Sequence, residues 1–126
     1  MELRPGLAAR VELTVAEVDT AAALGSGDVP VLATPRVLAL AEAATVAATA
    51  AALPAGSTTV GTRVELAHLA ATAVGRTVVA EAVLSDVDGR RLGFTVSVRD
   101  GEDVAARGRV ERVIVDREAF VTRAYQ

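Results

Sequence analysis

Across residues 9–18 the chain alternates. Val11, Leu13 and Val15 fall on one side and Glu12 and Thr14 on the other, the period of a strand with one buried face. A loop with Gly25, Ser26, Gly27 and Asp28 follows, and residues 29–32 lead into Thr34-Pro35, the pairing of a helix cap with a first-turn proline. From residue 35 to 53 the pattern changes. Alanine, leucine and valine fill nearly every position, Arg36 and Glu42 are the only charges, and Pro54-Ala55-Gly56 ends the run. Such a helix is about 30 Å long. With no polar face, it is expected to be surrounded by protein on most sides.

Everything after Gly56 reads as strand. Val60, Thr62, Val64, Leu66 and His68 share one side, with Gly61, Arg63, Glu65 and Ala67 on the other. Residues 77–88 are rich in valine and end in Asp88-Gly89, a hairpin signal. Leu92, Phe94, Val96 and Val98 alternate with Gly93, Thr95, Ser97 and Arg99, and Asp100-Gly101 turns the chain again. Val104, Ala106, Gly108, Val110, Arg112 and Ile114 form an inward set with one misfit, Arg112, and residues 116–122 suit a short helical turn. The order is one strand, a long apolar helix and four antiparallel strands. One sheet must then supply the walls around one helix: an α+β fold, a curved antiparallel sheet wrapped around a long central helix. A chain of 126 residues makes one such domain, residues 1–126.

Composition narrows the chemistry. Hydrophobic residues are 52% of the chain, enough to drive burial and exclude disorder. The 13 basic and 16 acidic side chains are dispersed and leave a net charge of −3, which lacks the basic footprint of a nucleic-acid binder. Phe94, Phe120 and Tyr125 are the only aromatics, too few to stack on bases. Without cysteine, and with His68 as the one histidine, thiolate chemistry, disulfides and multi-histidine metal sites are excluded. The first residues lack the basic-then-apolar run of a signal peptide, and Glu42 interrupts the one apolar stretch. Neither export nor a membrane span is expected, so the expected compartment is the cytoplasm. Carboxylates, hydroxyls, arginines and one imidazole remain to carry chemistry.

Glu42 stands out because Leu38, Ala39, Thr45 and Val46 surround it on the helix. An unpaired buried carboxylate is costly or becomes neutral. Glu42 is therefore a site carboxylate, or it lies on a narrow solvent strip or pairs with an arginine. His68 shares its strand face with Val64 and Leu66. It is a hydrogen-bonded core histidine or, with Glu42 opposite, an imidazole that deprotonates a nucleophile. Thr34 reads as the helix cap, at a helix start whose N–H groups also attract oxyanions. Arg112 marks a bulge, a structural ion pair, or an anchor for a phosphate or carbonyl. Gly61 marks a bulge or a close backbone approach to a ligand.

Thr34, Glu42, Gly61, His68 and Arg112, with the stretches around them, resemble the fluoroacetyl-CoA thioesterase-like family of hotdog-fold thioesterases. The likeness runs through Ala33-Thr34-Pro35 to Leu40-Ala41-Glu42, Val60-Gly61-Thr62-Arg63-Val64 and His68-Leu69-Ala70-Ala71-Thr72. It continues in Val74-Gly75, residues 84–92, and Glu111-Arg112 on to Phe120, about residues 9–122 in all. The resemblance implies the hotdog fold. It implies Thr34, Glu42 and His68 as catalytic hydroxyl, carboxylate and imidazole, Gly61 as a backbone contact to the acyl-CoA, and Arg112 as an arginine at the substrate site. The implied activity is hydrolysis of a small or medium acyl-CoA to free acid and CoA, with no cofactor and no metal. A non-catalytic acyl-CoA or small-acyl binding domain on the same fold is the alternative. The expected partners are an acyl-CoA and a second copy of the chain, as a homodimer or higher oligomer with its catalytic groups near the subunit boundary. No nucleic acid or membrane partner is expected. Two departures stand out. A Gly-Thr-His-Glu-Arg run of the family reads Gly108-Arg109-Val110-Glu111-Arg112 here, and residues 20–32 lack the phenylalanines that line the fluoroacetyl enzyme's lid. With Gly25, Ser26 and Gly27 in it, this lid is expected to be mobile, and preference for fluoroacetyl over acetyl thioesters weak, with longer or branched acyl chains accepted.

Overall fold

Alternation becomes five strands in the computed structural model, which describes residues 2–126: β1 (Ala8–Thr14), β2 (Ser57–His68), β3 (Thr77–Asp88), β4 (Arg91–Asp100) and β5 (Asp103–Asp116). They form one antiparallel sheet in the order β1-β3-β4-β5-β2, so β1 and β2 are its edges. Two tight turns set the β3–β4–β5 register. Gly89 (φ 60°) and Gly101 (φ 62°) take the left-handed conformation these turns require. The helices are a short α1 (Ala21–Leu24), the long α2 (Thr34–Thr49) and a terminal α3 (Arg117–Ala124).

The core lies between α2 and the concave face of the sheet. Val37, Leu40, Ala41 and Ala44 of α2 meet Val78, Ala80, Ala82 and Leu84 of β3 and Leu92, Phe94, Val96 and Val98 of β4, all at most 2% exposed. Each Val, Leu or Phe buried this fully contributes roughly 1.5–3 kcal/mol. The alanines allow the helix axis to sit close to the sheet. The alternate positions mix charged residues such as Glu81 and Arg99 with Val79, Val83, Thr95 and Ser97, and the exposed pair Arg10–Glu81 (2.8 Å) adds little to stability.

Several boundaries and faces differ from the sequence reading. β1 stops at Thr14 instead of continuing to Val18, because the Asp19 carboxylate accepts the Ala16 N–H (2.8 Å) and closes a 3-10 turn over Glu17–Asp19. Thr34 is not the cap of α2. Ala33 holds that position without a side-chain hydrogen bond, and Thr34 is the first helical residue. The helix is also less enclosed than its composition suggests. Pro35, Ala39, Ala43, Val46, Ala47 and Ala50 form an exposed apolar strip along its outer side. Finally, β2 does not keep one parity. Gly61 pairs with Arg112 and Arg63 with Glu111, so Thr62 is the extra residue of a β-bulge. The helix-facing set is therefore Thr59 and Gly61 before the bulge and Val64, Leu66 and His68 after it, while Val60 and Thr62 leave it. Among the described residues no helix is long and apolar enough to cross a membrane.

Candidate active site

Arg112 explains the misfit in β5. It keeps the inward parity of its strand and is 7% exposed, with its guanidinium between the sheet and Glu42 of α2. Its Nε donates to Thr59 Oγ1 (2.9 Å), Nη2 to the Thr59 carbonyl (2.9 Å), and Nη1 to Glu42 Oε2 (3.0 Å). Burial pushes the guanidinium below its ordinary pKa and the Glu42 carboxylate pulls it back up. It remains a cation, and removing it from water costs stability that the pairing offsets only in part. The Glu42 side chain is 33% exposed, so this carboxylate is paired on one side and open on the other. Gly61 gives it room, since a Cβ built there would collide with Glu42 Oε2 and meet Arg112 Nη1 at 3.3 Å. Gly61 thus opens the bulge, as one of its two readings expected, and its missing side chain leaves space for the Glu42 carboxylate.

At the start of the helix a second constellation forms. Freed from capping, the Thr34 hydroxyl hydrogen-bonds His68 Nδ1 at 2.7 Å. His68 closes β2, and the chain beyond it is tied back where Leu69 and Ala70 donate to the Ala105 carbonyl (2.7 and 3.2 Å). Among the described residues Nε2 of His68 is buried and finds no hydrogen-bond partner, and the same holds for Thr72 Oγ1, four residues further on. Thr34 and His68 open on a groove of about 350 Å³, rimmed by Ala21, Gly27, Val29, Leu69 and Ala70. The expected mobile lid is held in place by backbone bonds. Ala21 N–H donates to Val31 O (2.9 Å), Ala22 to Val29 O (3.1 Å) and Ser26 to Ala21 O (3.1 Å). Among the described residues no phenylalanine, tyrosine or tryptophan rims the groove.

The five residues singled out from sequence thus gather into two groups within one protomer, not one. Thr34 and His68 form the first, Glu42, Gly61 and Arg112 the second. From Thr34 to Glu42 is eight residues of one helix, about 12 Å along its axis. Thr59, which binds Arg112 twice, was missed by the sequence reading because its parity is right only once the bulge is counted. The signal available was the misfit itself, since a buried arginine must find acceptors on the neighbouring strand. No group of three His, Asp or Glu side chains among the described residues is placed to hold a metal ion.

Comparison with known proteins agrees with this architecture. The family model for fluoroacetyl-CoA-specific thioesterase matches residues 15–118. The fluoroacetyl-CoA thioesterase of Streptantibioticus cattleyicolor is 40% identical over 96 residues, 76% of this chain and 69% of its own. The crystal structure of the fluoroacetyl-CoA thioesterase FlK superposes with a TM-score of 0.93 at 32% identity, covering 100% of this chain and 98% of that one. A mutant of the same enzyme in complex with fluoroacetate and CoA gives 0.88 at 34%, over 94% and 99% of the two chains. With the family model matching residues 15–118, a relative 40% identical over 76% of the chain and a hotdog sheet around α2, the chain belongs to the fluoroacetyl-CoA-specific thioesterase family.

Proposed function

We propose that the protein is an acyl-CoA thioesterase that hydrolyses small to medium acyl-CoA thioesters to free acid and CoA. The observation that carries this reading is the 2.7 Å contact between Thr34 Oγ1 and His68 Nδ1 at the floor of an open groove. The groove receives the thioester carbonyl. His68 Nδ1 takes the proton of the attacking oxygen, whether that of Thr34 or of a water held beside it. The attacking oxygen bonds to the carbonyl carbon, the C–S bond breaks, and the departing CoA thiolate receives the proton from the imidazole. If Thr34 is the attacking group, water then hydrolyses its acyl ester. The negative charge on the carbonyl oxygen is met by a backbone N–H, that of Thr34 at the start of α2 or that of Gly61, where no side chain shields the backbone.

An imidazole that accepts a proton at Nδ1 carries its other proton on Nε2 and needs an acceptor there. Glu42 of the same chain lies two helical turns away. A second copy supplies the acceptor: β2 is an unpaired edge strand that contains both Gly61 and His68, and two such edges paired antiparallel bring His68 of one copy beside Gly61, and so Glu42, of the other. The apolar strip of Ala39, Ala43 and Ala47 on α2 gives the dimer a second surface to bury. Arg112 then serves the substrate site through Glu42, with one N–H of each guanidinium nitrogen already engaged. The groove sets the substrate range. Open, and lined mostly by small and aliphatic side chains, it lacks the tight dry contact needed to distinguish fluorine from hydrogen, a discrimination worth only ~1–3 kcal/mol even in a close-fitting pocket.

Colorimetric thiol release from a series of acyl-CoAs tests the proposal. CoA release is expected from acetyl-, propionyl- and branched short-chain thioesters, with kcat/KM for fluoroacetyl-CoA within about tenfold of acetyl-CoA. Saturable binding of acyl-CoA without thiol release would instead identify a binding domain.

A further inference from the structure

We infer that Thr59 is a positioning residue for hydrolysis: its hydroxyl and its carbonyl clamp the Arg112 guanidinium so that the Glu42 carboxylate is held in one orientation. The inference rests on Glu42 serving the hydrolytic reaction, as proposed above.

Three observations support it. Thr59 and Arg112 are each 7% exposed, so their hydrogen bonds are shielded from competing water. Thr59 also contributes two acceptors to one planar fork, Oγ1 to Nε and the carbonyl to Nη2, both at 2.9 Å. Two bonds along one edge of a planar group fix its rotation, and the third nitrogen, Nη1, is thereby directed at Glu42 Oε2. Gly61 is the third. It stands two residues after Thr59 and faces the same way, and the bulge that follows it lets His68 share that concave face. One short segment therefore sets the guanidinium and leaves space for the carboxylate. A lysine could supply charge here, but not a fork held at two points.

The test compares four variants by steady-state kinetics and thermal melting. Thr59→Val keeps the side-chain shape and removes the acceptor, so kcat should fall at least about tenfold while KM changes less than about twofold. Thr59→Ser restores the hydroxyl and should recover most of kcat. Arg112→Lys keeps the cation without the fork and should lose kcat as Thr59→Val does. Glu42→Gln separates the two ideas. If it is as active as wild type, the role of Glu42 and the positioning role of Thr59 fail together. If Glu42→Gln is inactive but Thr59→Val keeps wild-type kcat, the role of Thr59 alone is overturned. Should Thr59→Val not fold, Arg112→Lys and Thr59→Ser decide the matter. Wild-type kcat in Arg112→Lys, or no activity in a folded Thr59→Ser, would contradict the clamp.

Discussion

Thr34 shows how one residue's duties can be separated. A threonine before a proline at a helix start reads as a cap, and deleting a cap costs about 1 kcal/mol. Here the first-turn amides of α2 are met by the backbone instead: the Ala33 carbonyl accepts from the N–H groups of Arg36 and Val37, both at 3.0 Å. The Thr34 side chain is thus free to meet His68. Thr34→Ala should change stability by less than about 0.5 kcal/mol, the range of exposed substitutions, while lowering kcat about 100-fold. Chemical denaturation beside thiol-release kinetics separates the two effects. A large stability loss would return Thr34 to the structural role its sequence context suggests. Glu42 and Arg112 were legible from sequence for a different reason. A charge among apolar neighbours breaks a pattern, whereas Thr59 breaks none.

At the scale of elements, β2 shows what alternation conveys and what it hides. The pattern located all five strands and both Asp-Gly turns, because each strand packs one face on α2 and the period of two holds from Val78 to Leu84 in β3, ahead of a register shift at Ser85, and from Leu92 to Val98 in β4. In β2 a single extra residue, Thr62, reverses the faces partway along, and no composition cue gives the position of that reversal. Gly61 was a hint of it. Gly61→Ala should be poorly tolerated by the site rather than by the fold, since the added methyl meets the flexible carboxylate of Glu42 and not the backbone. The expected result is a loss of at least about tenfold in kcat/KM with a melting temperature within about 5 °C of wild type. Collapse of the fold would show instead that the bulge itself needs glycine. The lid is a second case. Gly25 ends α1 in a left-handed conformation (φ 72°), so its glycine marks a helix end, not a loose segment.

At the scale of the whole molecule, the sequence indicated an enclosed helix, whereas the protomer leaves an apolar strip of α2 and the full length of the β2 edge open. Composition alone cannot distinguish a helix enclosed by its own chain from one enclosed by a copy. The same division runs through the site, where Thr34 and His68 are joined and Glu42 lies about two turns away. The central claim is that a working thioesterase site takes His68 from one copy and Glu42 from another, and mixing two inactive variants tests it most directly. Glu42→Gln and His68→Ala should each be nearly inactive alone. After the two are unfolded together in equal amounts and refolded, half of the dimers are mixed, and each of these carries one intact site of two. Recovery of about a quarter of wild-type activity is therefore predicted. If the mixture stays as inactive as its parents while remaining dimeric, Glu42 and His68 do not act across the subunit boundary.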